Sequence, residues 1–253
     1  MHRNYPLLLT ATIVPQTQYE LNLKDSDKRY RQYIDNLIRL ITTTDFTHFV
    51  FCENSNTWVK DQQMIDLLCI YYDKKIEFLS FQWDAEKTKL LTRAFGDQEI
   101  MEYAVQHSSI LSDFEWFYKL TWRYWIKNIN QIIKKWNTSK NVFMRWWLWK
   151  NTVHTCFFKV TKDYFNRHFA GKTDQLTRFE NNSLERFYYY FVKQSWVNMS
   201  INWLHPVFSW ERWAGGMMDE SPLMQLKTKI FAKLWVYDIK TTPIITLKNK
   251  ISD

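Results

Sequence analysis

The sequence predicts an α/β fold, a parallel sheet with helices packed on its faces. Three observations carry this. Short apolar-rich runs recur at 7–13, 49–52 and 75–81, and runs of that length bounded by polar chain read as buried strands. The stretches between them, 28–43 and 61–72, repeat apolar residues at helical spacing. Only 4 Gly and 5 Pro occur in 253 residues, which argues against a loop-rich β-sandwich or a disordered chain. Such β-α-β-α-β alternation calls for parallel strands joined by right-handed crossovers. Ligands of these sheets bind beyond the carboxyl ends of the strands.

The first strand is Leu7-Leu8-Leu9-Thr10-Ala11-Thr12-Ile13, ended by Pro15. Residues 16–27 are polar and read as a loop. The helix over 28–43 places Tyr30, Tyr33, Leu37, Ile38 and Ile41 on one face, with Asp25, Ser26 or Asp27 as its cap. Arg29 leads its first turn and can point back toward the loop. The second strand, 49–52, switches abruptly to polar chain at Glu53-Asn54-Ser55-Asn56. Met64, Leu67, Leu68 and Tyr71 give the helix over 61–72 its apolar face, and 75–81 is the third strand.

The middle of the chain joins a helix to a strand. Ile100, Met101, Ala104 and Val105 share a helical face, with Gly96 just before it and Asp97 as its cap. The aromatic-rich run 114–120 reads as a strand that delivers Lys119 and Arg123 beside Thr121. A hydroxyl and two cations at a strand end suit a phosphate. On spacing alone the plainer reading, solvated charges around a buried strand, outweighs it. Beyond lie a helix over 126–136, strands over 142–149 and 157–160, and a helix over 162–169 closed by Gly171. Asn181-Asn182-Ser183 caps a further helix bearing Leu184, Phe187, Tyr188 and Phe191, with Glu185 in its first turn. From Trp196 the chain becomes Trp-rich, with a Gly215-Gly216 loop and a basic helix over 223–235. The expected division is a domain over 1–195 and a mostly helical extension over 196–253 packed on it.

Composition narrows the function classes. The net charge of +8 points to an anionic partner: nucleotide, nucleic acid or anionic lipid. Cys52, Cys69 and Cys156 form no C-x-x-C pair and read as free thiols in a reducing compartment, with no structural zinc site. No signal-peptide layout opens the chain, and no run reaches about 18 apolar residues, so no transmembrane helix is expected. Neither a Gly-x-Gly-x-x-Gly nor a Walker A loop follows the first strand.

Several motifs in order carry a resemblance. Ala94-Phe95-Gly96-Asp97-Gln98-Glu99, then Lys119-Leu120-Thr121-Trp122-Arg123-Tyr124 and Asn128-Ile129, resemble a helix start, a Lys-Ile-Thr-Gly-Arg-Tyr motif and an Asn-Ile pair of bacterial sugar transferases. These enzymes serve lipopolysaccharide, O-antigen and capsule assembly. The leading apolar run, Val50-Phe51-Cys52-Glu53-Asn54-Ser55, Thr155-Cys156-Phe157-Phe158 and Leu184-Glu185 are similar to that group as well, over roughly residues 5–195. Trp122 stands where the motif has glycine, and Val153-His154 where an acidic residue often precedes Thr-Phe-Phe.

The resemblance implies a GT-A-like, Rossmann-type nucleotide-binding sheet and a glycosyltransferase using a nucleotide-sugar. Its acceptor would be a glycan or a lipid-linked glycan, and its place the cytoplasm or the inner face of the plasma membrane. Thr10, Ala11, Thr12, Glu53 and Asn54 would meet base or ribose, and Gly96, Lys119, Thr121, Arg123 and Thr155 the rest of the donor. Asp25-Ser26-Asp27 is the sole Asp-x-Asp and reads as a helix cap, so cations rather than a bound metal or other cofactor are expected to steady the diphosphate. Glu185 and Glu99 are the candidate bases, with Glu180 and Asp97 behind them; first-turn carboxylates also suit capping. Basic charge with interleaved aromatics also fits a non-enzymatic nucleic-acid-binding module, though no ribonucleoprotein motif is present and nucleic acid is not the expected partner. A Trp- and Lys-rich segment from Trp196 would suit an anionic membrane surface.

Overall fold

The computed structural model describes residues 5–15, 25–91, 93–121, 124–144, 151–179, 183–194, 206, 208–211 and 217–219. In chain order its elements are β1 (Leu7–Ala11), α1 (Ser26–Thr43), β2 (His48–Glu53), α2 (Gln62–Tyr71), β3 (Lys75–Ser80), α3 (Ala85–Leu91), α4 (Arg93–His107) and α5 (Ser109–Ser112). They continue with β4 (Trp116–Thr121), β5 (Tyr124–Ile126), α6 (Ile129–Lys135), β6 (Phe157–Thr161), α7 (Lys162–His168), a 3₁₀ turn (Thr173–Arg178), α8 (Leu184–Gln194), β7 (Phe208–Glu211) and β8 (Met217–Asp219).

Five strands form one mixed sheet in the order β3-β2-β1-β4-β6. The first four run parallel, and β6 lies antiparallel to β4. Helices cover both faces, an α/β layering of Rossmann-like type. That is why Leu7, Leu8 and Leu9 are all fully buried: alternate residues point to opposite faces, and both faces are dry. Leu7 and Leu9 pack with Tyr33, Leu37 and Ile41 of α1. Leu8 packs with Ile100, Met101 and Ala104 of α4 and with Tyr188 of α8. Each such aliphatic side chain stabilises the fold by about 2 kcal/mol when fully buried.

Local chemistry explains several boundaries. Asp25 caps α1, its carboxylate accepting from Asp27 N and Lys28 N, so Asp25-Ser26-Asp27 is a helix start. Thr161 caps α7 by accepting from Tyr164 N. Past that helix, Gly171 adopts φ +68°, a left-handed conformation that strains any residue with a Cβ.

Four expectations are corrected. The helix expected to begin after Gly96 starts at Arg93, so Gly96 and Asp97 lie inside α4 and Asp97 is not its cap. The face expected to bury α2 is largely replaced: Ile65 and Cys69 are buried and Leu68 packs partly against the core, while Met64, Leu67 and Tyr71 are exposed. This helix is apolar almost all round, so periodicity alone does not select a face. The helix expected over 126–136 gives its first residue to β5 and begins at Ile129. Of the strand expected over 142–149, Val142 makes an isolated antiparallel bridge with Lys159, and 145–150 lie outside the described residues.

Beyond residue 195 the described elements are strands. β5, β7 and β8 form a small antiparallel sheet, with Tyr124 opposite Trp210. The basic helix expected over 223–235 and the Gly215-Gly216 loop lie outside the described residues. Among the described residues, no helix is long and apolar enough to cross a membrane.

Candidate functional site

The chain crosses from β1 to β2 to β3 on one side, then returns to β4 on the other side of β1. Strand order therefore reverses between β1 and β4, and such a switch point opens a crevice at the carboxyl ends. Thr10 and Thr121 face each other in register across it. Cys156 O accepts from Thr121 N at 2.7 Å, which brings the segment before β6 to the same rim.

The β1 side is held by its own chain. Thr12 donates its hydroxyl to Asn54 Oδ1 at 2.7 Å. Arg29 points back as its position suggested: Nε and Nη2 donate to Thr12 O at 2.9 and 2.6 Å, and Nη2 also to Tyr33 Oη. A buried guanidinium thus pins the end of β1. Thr10 and Ala11 are buried beneath this rim, and Thr12 is half-buried.

Glu53 is placed at the rim but already engaged. Its fully buried carboxylate accepts from Ile13 N at 3.1 Å, Ser55 N at 2.8 Å, Thr57 N at 2.9 Å, Ser80 Oγ at 3.3 Å and the Ser55 hydroxyl. The carboxylate expected to meet a ribose instead ties the tips of β1, β2 and β3 together. Asn54 is also buried, and its backbone carbonyl accepts from Trp83 N at 3.1 Å. A Cβ on Gly96 would meet Trp83 Cε3 at 3.0 Å and Asn54 Nδ2 at 3.8 Å. Gly96 therefore lets α4 press onto the indole behind the rim.

On the β4 side, Lys119 shares a face with Phe117 and points toward α4 and α8. Expected at an open strand end, it is 1% exposed. Its ammonium donates to Thr121 Oγ1 at 2.5 Å and Thr155 O at 2.7 Å. Burial pulls its affinity for the proton below the ordinary lysine range, against the opposing fields of Asp97, Cys156 and Glu185. Thr155 Oγ1 in turn donates to Glu185 Oε1 at 3.3 Å, and Ser183 Oγ to Glu185 Oε2 at 3.0 Å. Lys119 thus bonds both Thr121 and Thr155, and the Thr155 hydroxyl bonds Glu185, which links β4 to the first turn of α8.

The Cys156 thiol lies near this group, within the field of Lys119 and Glu185, and is pushed up to about 12 by burial, although Lys119 pulls the other way; it stays neutral and unreactive. His154 Nδ1 stands 3.5 Å from Cys156 Sγ.

Glu99 belongs to a different corner. It is half-buried and accepts from Asp84 N at 3.2 Å, just ahead of α3. Burial, with Asp84 and Glu102 nearby, raises its carboxyl above the usual range. Asp97 is exposed on α4, and its charge reaches Lys119. Arg123 and Glu180 lie outside the described residues.

The sequence placed Tyr33 only on a buried helix face and Ser183 only in a helix cap, and Trp83 was not singled out. Trp83 sits three residues past the end of β3 and Ser183 just ahead of a first-turn glutamate, which are the signals that mark them.

No protein-family model matches this chain, and no curated protein matches it.

Proposed function

We propose that this chain is a nucleotide-sugar-dependent glycosyltransferase with a GT-A-like sheet, transferring a sugar to a glycan or lipid-linked acceptor in bacterial surface polysaccharide synthesis. The motifs in residues 5–195 that resemble such enzymes are the starting point. The observation that carries the reading is Lys119 bonded to both Thr121 and Thr155, with Thr155 bonded in turn to Glu185, at the point where strand order reverses. This arrangement couples a buried cation to a half-buried carboxylate at the rim where nucleotides bind in open α/β sheets.

In this reading the donor diphosphate lies across the ends of β1 and β4. Lys119 acts through Thr121: the ammonium donates to the hydroxyl oxygen, which leaves the Thr121 proton free to donate to a diphosphate oxygen. A hydroxyl polarised by a cation is a stronger donor than a neutral one. Glu185 takes the proton from the acceptor hydroxyl as that oxygen attacks the anomeric carbon. The bond to the diphosphate breaks with its electron pair on the leaving oxygen, where the Lys119 field and Arg123 offset the growing charge. Asn54, Thr12 and Gly96 shape the nucleoside end, and Glu99 is the second candidate base. The transfer runs without a metal held by Asp-x-Asp, since the one such triplet starts α1. The Trp-rich residues 196–253 would meet the acceptor or an anionic membrane inner face.

The test is a thermal-shift screen with UDP, GDP, CMP and their sugars, since a ligand that binds only the folded state raises its stability. At least one nucleotide-sugar is expected to raise the melting temperature, and its transfer to persist in excess EDTA. Activity lost in EDTA and restored by Mn²⁺ or Mg²⁺ removes the metal-free mechanism. No shift with any nucleotide removes the transferase reading.

A further inference from the structure

Among the described residues, no strand pairs with the edge of the main sheet opposite β6. β3 is the terminal strand of the order. Lys75 N donates to Thr47 O and Phe81 N to Glu53 O. In a parallel ladder this turns the odd-numbered amides of β3 toward β2 and those of Ile76, Phe78 and Ser80 away from the sheet. A groove of about 560 Å³ runs along this edge, lined by Asp66 and Ile70 of α2, by Lys75, Ile76 and Phe78, and by Ile110 of α5. Above it α2 turns apolar residues outward: Ile70 is 74% exposed and Leu67 62%. An open strand edge beside an exposed apolar helix is a pairing surface unless something covers it.

We propose that a second copy of this chain pairs with β3 about a twofold axis, making one continuous sheet through two molecules. Charge selects this occupant. Lys75 is exposed and makes no ion pair among the described residues. Glu77, two residues on, projects to the same side of the sheet and accepts from Ser108 Oγ, Ser109 N and Ile110 N. Antiparallel self-pairing centred on Ile76 sets each Lys75 opposite the partner's Glu77, twice by symmetry, while each outward Ile76 N–H donates to the Ile76 carbonyl of the other copy. Such an edge is complementary to itself. The same axis brings the two α2 helices together on one side of the sheet, covering Ile70. The proposal does not depend on the transferase reading.

Sedimentation velocity over a concentration series of the full chain tests it, with hydrogen exchange read at Ile76 and Phe78. A dimer is expected, with both amides gaining protection as it forms. Lys75→Glu sets like charges opposite each other twice, and Ile70→Asp places a charge at the axis. Each is expected to weaken the dimer by about tenfold or more. Both positions are exposed, so the thermal melt of the dilute monomer should not change. A chain that stays monomeric, or a dimer indifferent to both substitutions, overturns the proposal. Protection of Ile76 and Phe78 that is independent of concentration also overturns it, by showing the edge covered within one molecule.

Discussion

Replacing Gly96 by alanine sets two effects of known sign against each other. Gly96 lies inside α4, where alanine is favoured over glycine by about 0.8–1.0 kcal/mol. The added methyl would stand 3.0 Å from Trp83 Cε3 and 3.1 Å from Cζ3, some tenths of an ångström inside ordinary contact. Trp83 is only 7% exposed and its backbone is tied to Asn54 O, so the ring has little room to yield. Overpacking of this kind costs about 1–3 kcal/mol. The net expectation is a loss of about 1 kcal/mol. In urea, with a slope near 3 kcal/mol/M, the midpoint should fall by roughly 0.3 M at unchanged slope. The shift in Trp83 should also reach Asn54 and weaken donor binding. A midpoint that rises by a similar amount would refute the reasoning. It would mean that helix propensity dominates and that the glycine is not needed for the approach of α4 to the indole.

Three further outcomes follow from the same geometry. Glu185→Gln keeps the shape and hydrogen-bonding oxygen of the first turn of α8 but removes the base; turnover should fall by about 10²–10⁴-fold with donor affinity little changed, and wild-type turnover would exclude Glu185 from the chemistry. Glu53→Gln turns a donating amide toward one of the groups the carboxylate now accepts from; leaving such a buried N–H unpaired should destabilise the fold by about 1–3 kcal/mol, read by urea melts. For Glu77, burial raises the carboxyl, but the bonds from Ser108, Ser109 and Ile110 outweigh it and hold it below the ordinary range. A depressed native value stabilises the fold above the unfolded carboxyl's range, about 4.3, and that contribution is lost as pH falls through the native value. Glu77→Gln in dilute solution should therefore be less stable than wild type at pH 7, and the gap should shrink in acid; a gap constant with pH would contradict this.

Much of the fold was legible because it rests on local pattern. Leu7-Leu8-Leu9 and Phe49-Val50-Phe51-Cys52 are continuous apolar runs, which only a strand covered on both faces tolerates. Tyr33, Leu37 and Ile41 recur at helical spacing, and Asp25 stands where a cap must. α2 was not legible in the same way: with Met64, Ile65, Leu67, Leu68, Cys69 and Ile70 it has apolar residues on every side, and the position of β3 decides which of them are covered. The same holds for Gly96. A glycine before an apolar face reads as a boundary, but here it is a contact with an indole thirteen residues earlier in the chain.

The candidate site divides along similar lines. Position alone brought Thr10, Thr12, Asn54 and Thr121 into consideration as strand ends and Glu185 as a carboxylate at a helix start, while the resemblance added Thr155. Their relations were decided by tertiary structure. Hydrogen bonds from Ile13, Ser55, Thr57 and Ser80 turn Glu53 from a ligand candidate into a brace. Thr155, 36 residues from Lys119, encloses a lysine that spacing would leave in water. Patterning is set by neighbours along the chain, whereas a polar side chain's role depends on what meets its donors and acceptors, and those partners arrive from distant parts of the sequence.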